Sequence, residues 1–423
     1  MPRRVALALA VLLSVLALVQ AVHKARKGQC ALLKWRPQVD ALARGENVYG
    51  REEGGTREGF PTLPTTALAL RPFLAFGDVT AGVLWAAFKL ALAWWMVLAC
   101  CRMAAGNVES FPPWALLVVI GLIARVLLSD IAHGNVNIPV AACVVAAGRN
   151  WQLGREREAG WLAGLAAVLK VTPALFLAYF AWKRSPRAFV HGLIGIAVAG
   201  IGLPMLVLGP AATFELLGAW WAQMVQPFVE GAPLTKVQTE QINQSLLGVL
   251  ARWFSDSVAI VARPPLFPED VSIHVVALSP GALRGLFYVV ALLLAGCAAW
   301  AGRVPRERRA TADTLGELAL LVLLMLFLSE RSWKQHYVTL CVPVVFLAFH
   351  AFHHGWRSRL GRVAGLALAA SAILHGLTGS GVLGERGSDY AEAAGVWLFG
   401  GLALFVACAL LLRDRARLGP SPG

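Results

Sequence analysis

The chain has 423 residues, of which 58% are apolar and 15% charged, whereas soluble proteins are about 25% charged. This excludes a disordered chain, a disulfide mini-scaffold and an ordinary cytosolic enzyme. It fits a polytopic membrane protein built from apolar runs near the ~20 residues that cross a bilayer.

The N-terminus reads Arg3-Arg4 and then an apolar run, Val5 to Val22. Val19-Gln20-Ala21 resembles a signal-peptide cleavage site. The run is long for such a peptide, and basic residues follow it, so a retained first span is expected. Further apolar runs lie at 80–102, 113–129, 137–148, 159–170, 172–182, 188–208, 284–302, 315–328, 337–352, 362–377 and 394–412. Three are too short to cross alone, which gives an all-α, multi-pass protein of about 10 to 12 transmembrane helices. The whole of 1–423 reads as one membrane-embedded domain.

The connecting segments alternate in charge. Segments 1–4, 102–112, 149–158, 183–187, 303–314, 353–362 and 413–423 hold 19 Lys and Arg against 6 Asp and Glu. Segments 23–79, 210–283, 329–336 and 378–393 hold 15 against 16. Almost all of the net charge of +14 therefore sits on one side, as the positive-inside rule requires. That distribution argues against a nucleic-acid partner. It places both termini in the cytoplasm and the two long segments, 23–79 and 210–283, outside the plasma membrane. Within the second, the run Thr213 to Val225 with Trp220-Trp221 reads as a helix, lying in the headgroup layer or packed in the loop. No internal repeat or low-complexity tract occurs, and Ser421-Pro422-Gly423 is a polar tail.

Of seven cysteines, only Cys30 falls in a polar loop, and no Cys-x-x-Cys occurs. Neither a disulfide framework nor a zinc site is indicated. His353-His354 reads as a solvated turn on the inside. There is no Asp-x-Asp pair and no phosphate-binding Gly loop, so no metal or cofactor is expected.

Four groups of polar residues stand where apolar surroundings make them expensive. In Lys170-Val171-Thr172-Pro173, the 12-residue run that ends at Lys170 is too short to cross and Pro173 breaks the helix. Lys170 then ends a half-helix near membrane depth, facing an anion in a cavity or snorkelling to the headgroups. Asp130, His133, Gly134, Asn135 and Asn137 form either a cavity-facing turn, with both amides on sugar hydroxyls, or an ordinary hairpin. In Ser329 to Tyr337, Arg331, Lys334 and His336 are candidates to hold a phosphate and Trp333 to stack on a sugar; an interfacial girdle is the alternative. Asn243, in Gln241-Ile242-Asn243-Gln244-Ser245-Leu246, belongs to a helix cap or to a ligand-binding edge.

Taken in order, these pieces resemble glycosyltransferase family 87. The likeness runs through Gly45-Glu46-Asn47-Val48-Tyr49, Phe60-Pro61-Thr62-Leu63-Pro64, Leu84-Trp85, Gly134-Asn135-Val136-Asn137, Ala163 to Pro173, Asn243 to Leu246, and Ser332-Trp333-Lys334-Gln335-His336-Tyr337. It implies a GT-C fold and a cell-envelope mannosyltransferase whose donor is a sugar on a polyprenyl phosphate, with a glycolipid or lipid-linked glycan as acceptor. The resemblance implies an inverting displacement, in which a carboxylate takes the acceptor proton and cations stabilise the departing phosphate. Lys170, Arg331, Lys334 and His336 supply the cations; Asn135, Asn137, Asn243 and Trp333 would position sugar. Where the family carries an Asp ahead of the tyrosine, this chain has Ala31 beside Cys30, and Gln335 replaces the first of a His pair. Asp40 or Asp130 is then the expected base, with Glu330 a third acid. A transporter, flippase or non-catalytic binder of polyprenyl-linked sugars is the rival reading.

Overall fold

A computed structural model describes residues 2–49, 60–229, 238–306 and 311–418. The tail Ser421-Pro422-Gly423, and residues 50–59 and 230–237 of the two long outer segments, lie outside the described residues. The helices in chain order begin with α1 (Pro2–Arg26), α2 (Ala31–Lys34), α3 (Arg36–Ala43), α4 (Pro64–Leu74), α5 (Asp78–Ala105), α6 (Pro113–His133) and α7 (Asn137–Gln152). They continue with α8 (Glu156–Leu169), α9 (Leu175–Trp182), α10 (Pro186–Ala197), α11 (Leu203–Leu208), α12 (Pro210–Met224) and α13 (Gln226–Val229). The rest are α14 (Leu246–Phe254), α15 (Pro280–Ala301), α16 (Thr311–Phe327), α17 (Cys341–His354), α18 (Arg359–Ser371), α19 (Ser380–Ala394) and α20 (Val396–Leu418). Among the described residues no strand forms; two isolated bridges, Ile260 with Val271 and Arg263 with Phe267, tie the loop after α14.

The molecule is therefore all-α and polytopic. Seven of the described helical segments, Pro186–Leu208 and Lys334–His354 among them, are long and apolar enough to cross a membrane, and α18 with α19, bent by 83°, makes an eighth if that pair is one span. The count is lower than the number of apolar runs for a geometric reason. Helices α7, α8 and α16 have 16, 14 and 17 residues, short of a full crossing at 1.5 Å per residue. The segment 378–393, read from its charges as an outer loop, is helical as α19. The helix expected around Trp220-Trp221 is α12.

The chain divides into two units. The first comprises Val11–Met96 and Leu128–Pro233. Its short α8 packs on α10 through glycines. A Cβ on Gly160 would meet the Gly192 nitrogen at 2.8 Å, and one on Gly195 the Trp161 carbonyl at 3.1 Å. Gly160 and Gly164 thus let two backbones approach as small-residue helix pairs do in membranes. A π turn, Val198–Gly202, follows α10. Such a turn disturbs the helical ladder, and here Thr65 Oγ1 donates to the Ala199 carbonyl at 2.6 Å.

In the same unit the segment 23–79 packs around an apolar core that includes Leu32, Val39, Leu42, Phe60 and Trp85. Arg36 stitches it together. Its guanidinium donates to the carbonyls of Leu74 (2.6 Å) and Phe76 (3.0 Å) at the end of α4, and it pairs with Asp78 at 2.9 Å. The helix-terminal carbonyls that lack an intrahelical donor are thereby served.

The second unit comprises Met1–Ala10, Val97–Leu127 and Leu234–Gly423. Ser245 caps α14, its hydroxyl accepting from the Gly248 amide at 3.1 Å. Arg252 on α14 is wholly buried and donates to the carbonyls of Asn243, Glu240, Thr239, Ala393 and Glu392. Burial pulls its pKa down to about 10, so the guanidinium remains a cation at neutral pH. One side chain thus joins the loop before α14 to the end of α19.

Candidate functional site

In the first unit, α6 ends in Asp130 and His133, and the chain turns at Gly134 (φ +82°) into α7. Two side chains one turn apart on α5 reach this turn. Trp85 Nε1 donates to the Gly134 carbonyl at 2.8 Å, and Lys89 Nζ to the Asp130 carbonyl at 2.6 Å. Lys89 also pairs with Asp130 Oδ2 at 2.7 Å, both side chains wholly buried. The other carboxylate oxygen accepts from Asn137 Nδ2 at 2.8 Å. Asn137 Oδ1 in turn accepts from Lys170 Nζ at 3.2 Å. Lys89, Asp130, Asn137 and Lys170 thus form one hydrogen-bonded line.

Lys170 stands where the sequence places it, at the break between α8 and a short 3-10 turn, Thr172–Ala174, that leads into α9. It is half-buried. Among the described residues, Asn137 is the hydrogen-bond acceptor its ammonium has, so two of three donors remain unspent. Of the three charges along the line, two are positive and one negative. The excess positive charge falls on the one side chain of the three that is not sealed in. That arrangement suits an anion. Asn135 is half-buried in the adjoining turn.

The motif pieces of the first outer segment meet each other. Asn47 Oδ1 accepts from the Tyr49 amide at 2.9 Å, and the Tyr49 hydroxyl donates to the Thr62 carbonyl at 2.8 Å. Tyr49 is buried and its pKa is raised by that burial, so it acts as a neutral strut. Cys30, next to Ala31, is buried against Gly134.

In the second unit, Trp333 and His336 stack with ring planes 6° apart and centroids 6.1 Å apart. His336 Nδ1 lies 3.0 Å from the Arg331 carbonyl and 3.2 Å from the Trp333 amide, which fixes the ring. Trp333 Nε1 donates to Gln238 Oε1 at 3.2 Å. Lys334 pairs with Glu392 on α19 at 2.5 Å. Arg331 is exposed and Glu330 Oε1 is 3.9 Å from its Nε. Arg331, Trp333, Lys334 and His336 thus share one turn.

Asn243 has a different part from the ligand contact expected of it. It is wholly buried and spends its whole amide on protein. Nδ2 donates to the carbonyls of Gln238 and Glu330, while Oδ1 accepts from the amides of Ser245 and Ser332. It fixes the backbone that carries Glu330 to His336. The expected acids also differ. Asp130 has both oxygens engaged and no exposure, which is unlike a base waiting for a hydroxyl proton. Asp40 lies exposed on α3, and Glu330 is about a quarter exposed (24%).

Sequence reasoning overlooked Lys89 and Glu392. The signal for Lys89 was present: a lone ammonium inside a 28-residue apolar helix is costly enough to demand a partner. Glu392 offered none, since its segment read as loop. Among the described residues no group of three or more His, Cys, Asp and Glu is placed to hold a metal ion.

The profile of glycosyltransferase family 87 matches residues 63–329. The chain belongs to glycosyltransferase family 87. It is 27% identical over 370 residues to the polyprenol-phosphate-mannose-dependent alpha-(1-2)-phosphatidylinositol mannoside mannosyltransferase of Mycolicibacterium smegmatis, covering 81% of this chain and 73% of that protein. It is 25% identical over 246 residues to the protein of that description from Mycobacterium tuberculosis, covering 58% of this chain and 48% of the relative. It is 29% identical over 241 residues to the corresponding pentamannoside mannosyltransferase of M. smegmatis, covering 56% of this chain and 48% of the relative. The chain therefore spans about half the length of two of these relatives. No solved structure matches it. The family match contains Lys89, Asp130, Asn137, Lys170 and Asn243 and stops just before the Glu330 to His336 turn.

Proposed function

We propose that this family 87 protein transfers a sugar, mannose in the first instance, from a polyprenyl phosphate to a glycolipid or lipid-linked glycan. The reaction runs on the extracytoplasmic face of a plasma membrane in which both termini are cytoplasmic. The observation that carries this reading is Lys170, with its unspent donors and the excess positive charge of its hydrogen-bonded line. A polyprenyl phosphate brings an anion to the depth at which Lys170 sits, and a fixed cation there stabilises the charge that develops on the departing phosphate. The relatives' names support the donor and acceptor classes. An inverting displacement follows if acceptor and phosphate hold opposite faces of the anomeric carbon.

In this reading Lys170 holds the donor phosphate, and Asn135 and Asn137 border the sugar beside it. Arg331, Lys334 and His336 form a cationic turn for substrate anions, with Trp333 as a stacking surface for carbohydrate. Asp40 is the acid of the first outer segment available as base, and Asp130 serves the site through its neighbours. The test is transfer of radiolabelled mannose from polyprenyl-phosphate mannose by membranes containing the protein, with lipid flipping measured in proteoliposomes. Label in a glycolipid product supports transfer; flipping without transfer would replace it by the transporter reading.

A further inference from the structure

Lys89 and Asp130 lie buried in the first unit, and the transfer chemistry leaves their pairing unused. We infer that they are positioning residues, which set the direction of the Asn137 amide and through it the place of the Lys170 ammonium. The inference rests on the assignment of Lys170 to the donor phosphate.

An asparagine amide has a donor end and an acceptor end, and its neighbours decide which way it faces. An ionised Asp130 only accepts, so it takes the Nδ2 end of Asn137 at 2.8 Å. The Oδ1 end is then turned to Lys170, 3.2 Å away. Reversed, the amide would bring NH2 against the ammonium, two donors face to face. Lys89 prevents this. Its ammonium, 2.7 Å from Oδ2, holds the carboxylate so that Oδ1 is left facing Asn137. Its second bond, to the Asp130 carbonyl at 2.6 Å, fixes the backbone from which the carboxylate springs. Trp85, one turn earlier on α5, holds the Gly134 carbonyl at 2.8 Å. The order of cause runs from Lys89 to the place of the Asp130 carboxylate, to the Asn137 amide, to Lys170. Asp130 then touches no reacting atom.

The test is binding of a short-chain polyprenyl phosphate without sugar to the purified full-length protein in detergent. Two variants probe the pair. Lys89→Met/Asp130→Leu removes both buried charges together, and Asp130→Glu keeps the charge pair but moves the carboxylate by one methylene. Each is expected to weaken binding about tenfold, the scale of one hydrogen bond to a charged group. Introduced into a Lys170→Ala background, either change should cost nothing further, which a merely structural role would not produce. Wild-type affinity in a folded variant overturns the inference, as does an equal further loss in the Lys170→Ala background. Equal affinity of wild type and Lys170→Ala overturns the phosphate assignment itself, and this inference with it.

Discussion

Lys334 Nζ lies 2.5 Å from Glu392 Oε1, with the lysine side chain about one-third exposed (32%) and the glutamate buried (2%). A cation that reaches the surface is thus anchored from inside by α19. The Glu392 backbone carbonyl meanwhile receives Gln244 Nε2 at 2.6 Å and Arg252. Lys334→Ala leaves the buried carboxylate without this partner. The expected cost is about 1–3 kcal/mol, reduced from that of a sealed pair because Lys334 is partly solvated. Thermal unfolding in detergent measures it, and Lys334→Ala/Glu392→Gln should recover part of the loss.

Lys89→Met has a larger effect, because neither partner of its ion pair reaches solvent. An unpaired buried Asp130 is expected to cost about 3–5 kcal/mol, and removing both charges by Lys89→Met/Asp130→Leu to restore most of it. The yield of monodisperse protein and its melting temperature report this. A single variant as stable as wild type would show that Asp130 finds another counter-ion.

Lys170→Ala should separate activity from stability. The side chain is half-buried, and its one hydrogen bond goes to a neutral amide. We expect a melting temperature within a few degrees of wild type and a fall in transfer of about 100-fold or more, the scale of losing one preorganised charge stabiliser. Turnover like that of wild type in a sugar-transfer assay removes Lys170 from the chemistry.

Asn243→Ala should do the reverse. It breaks four hydrogen bonds and strands the Ser245 and Ser332 amides, at about 2–4 kcal/mol. Folded yield should drop, while the KM of the protein that survives stays close to wild type. A KM raised with stability intact would return Asn243 to the ligand.

Gly134→Ala tests the turn itself. Its φ of +82° disfavours any side chain, and a Cβ there would run into Cys30 Sγ. A loss of about 1–3 kcal/mol is expected. Gly134→Ala/Cys30→Ala should relieve the clash and leave the backbone strain, which comparing the two melting temperatures resolves.

The sequence by itself determined the class of the molecule and its apolar spans. Each follows from local physics: a bilayer counts apolar residues along one segment. The break at Lys170 and Pro173 was legible for the same reason. What tertiary structure alone decided was partnership. Asp130 reads as an embedded base until Lys89, 41 residues away, is found against it. Asn243 reads as part of a helix cap or of a ligand-binding edge until its amide is seen spent on Glu330 and Ser332. Periodicity and composition describe a helix one residue at a time, whereas a buried charge takes its role from whichever helix packs beside it.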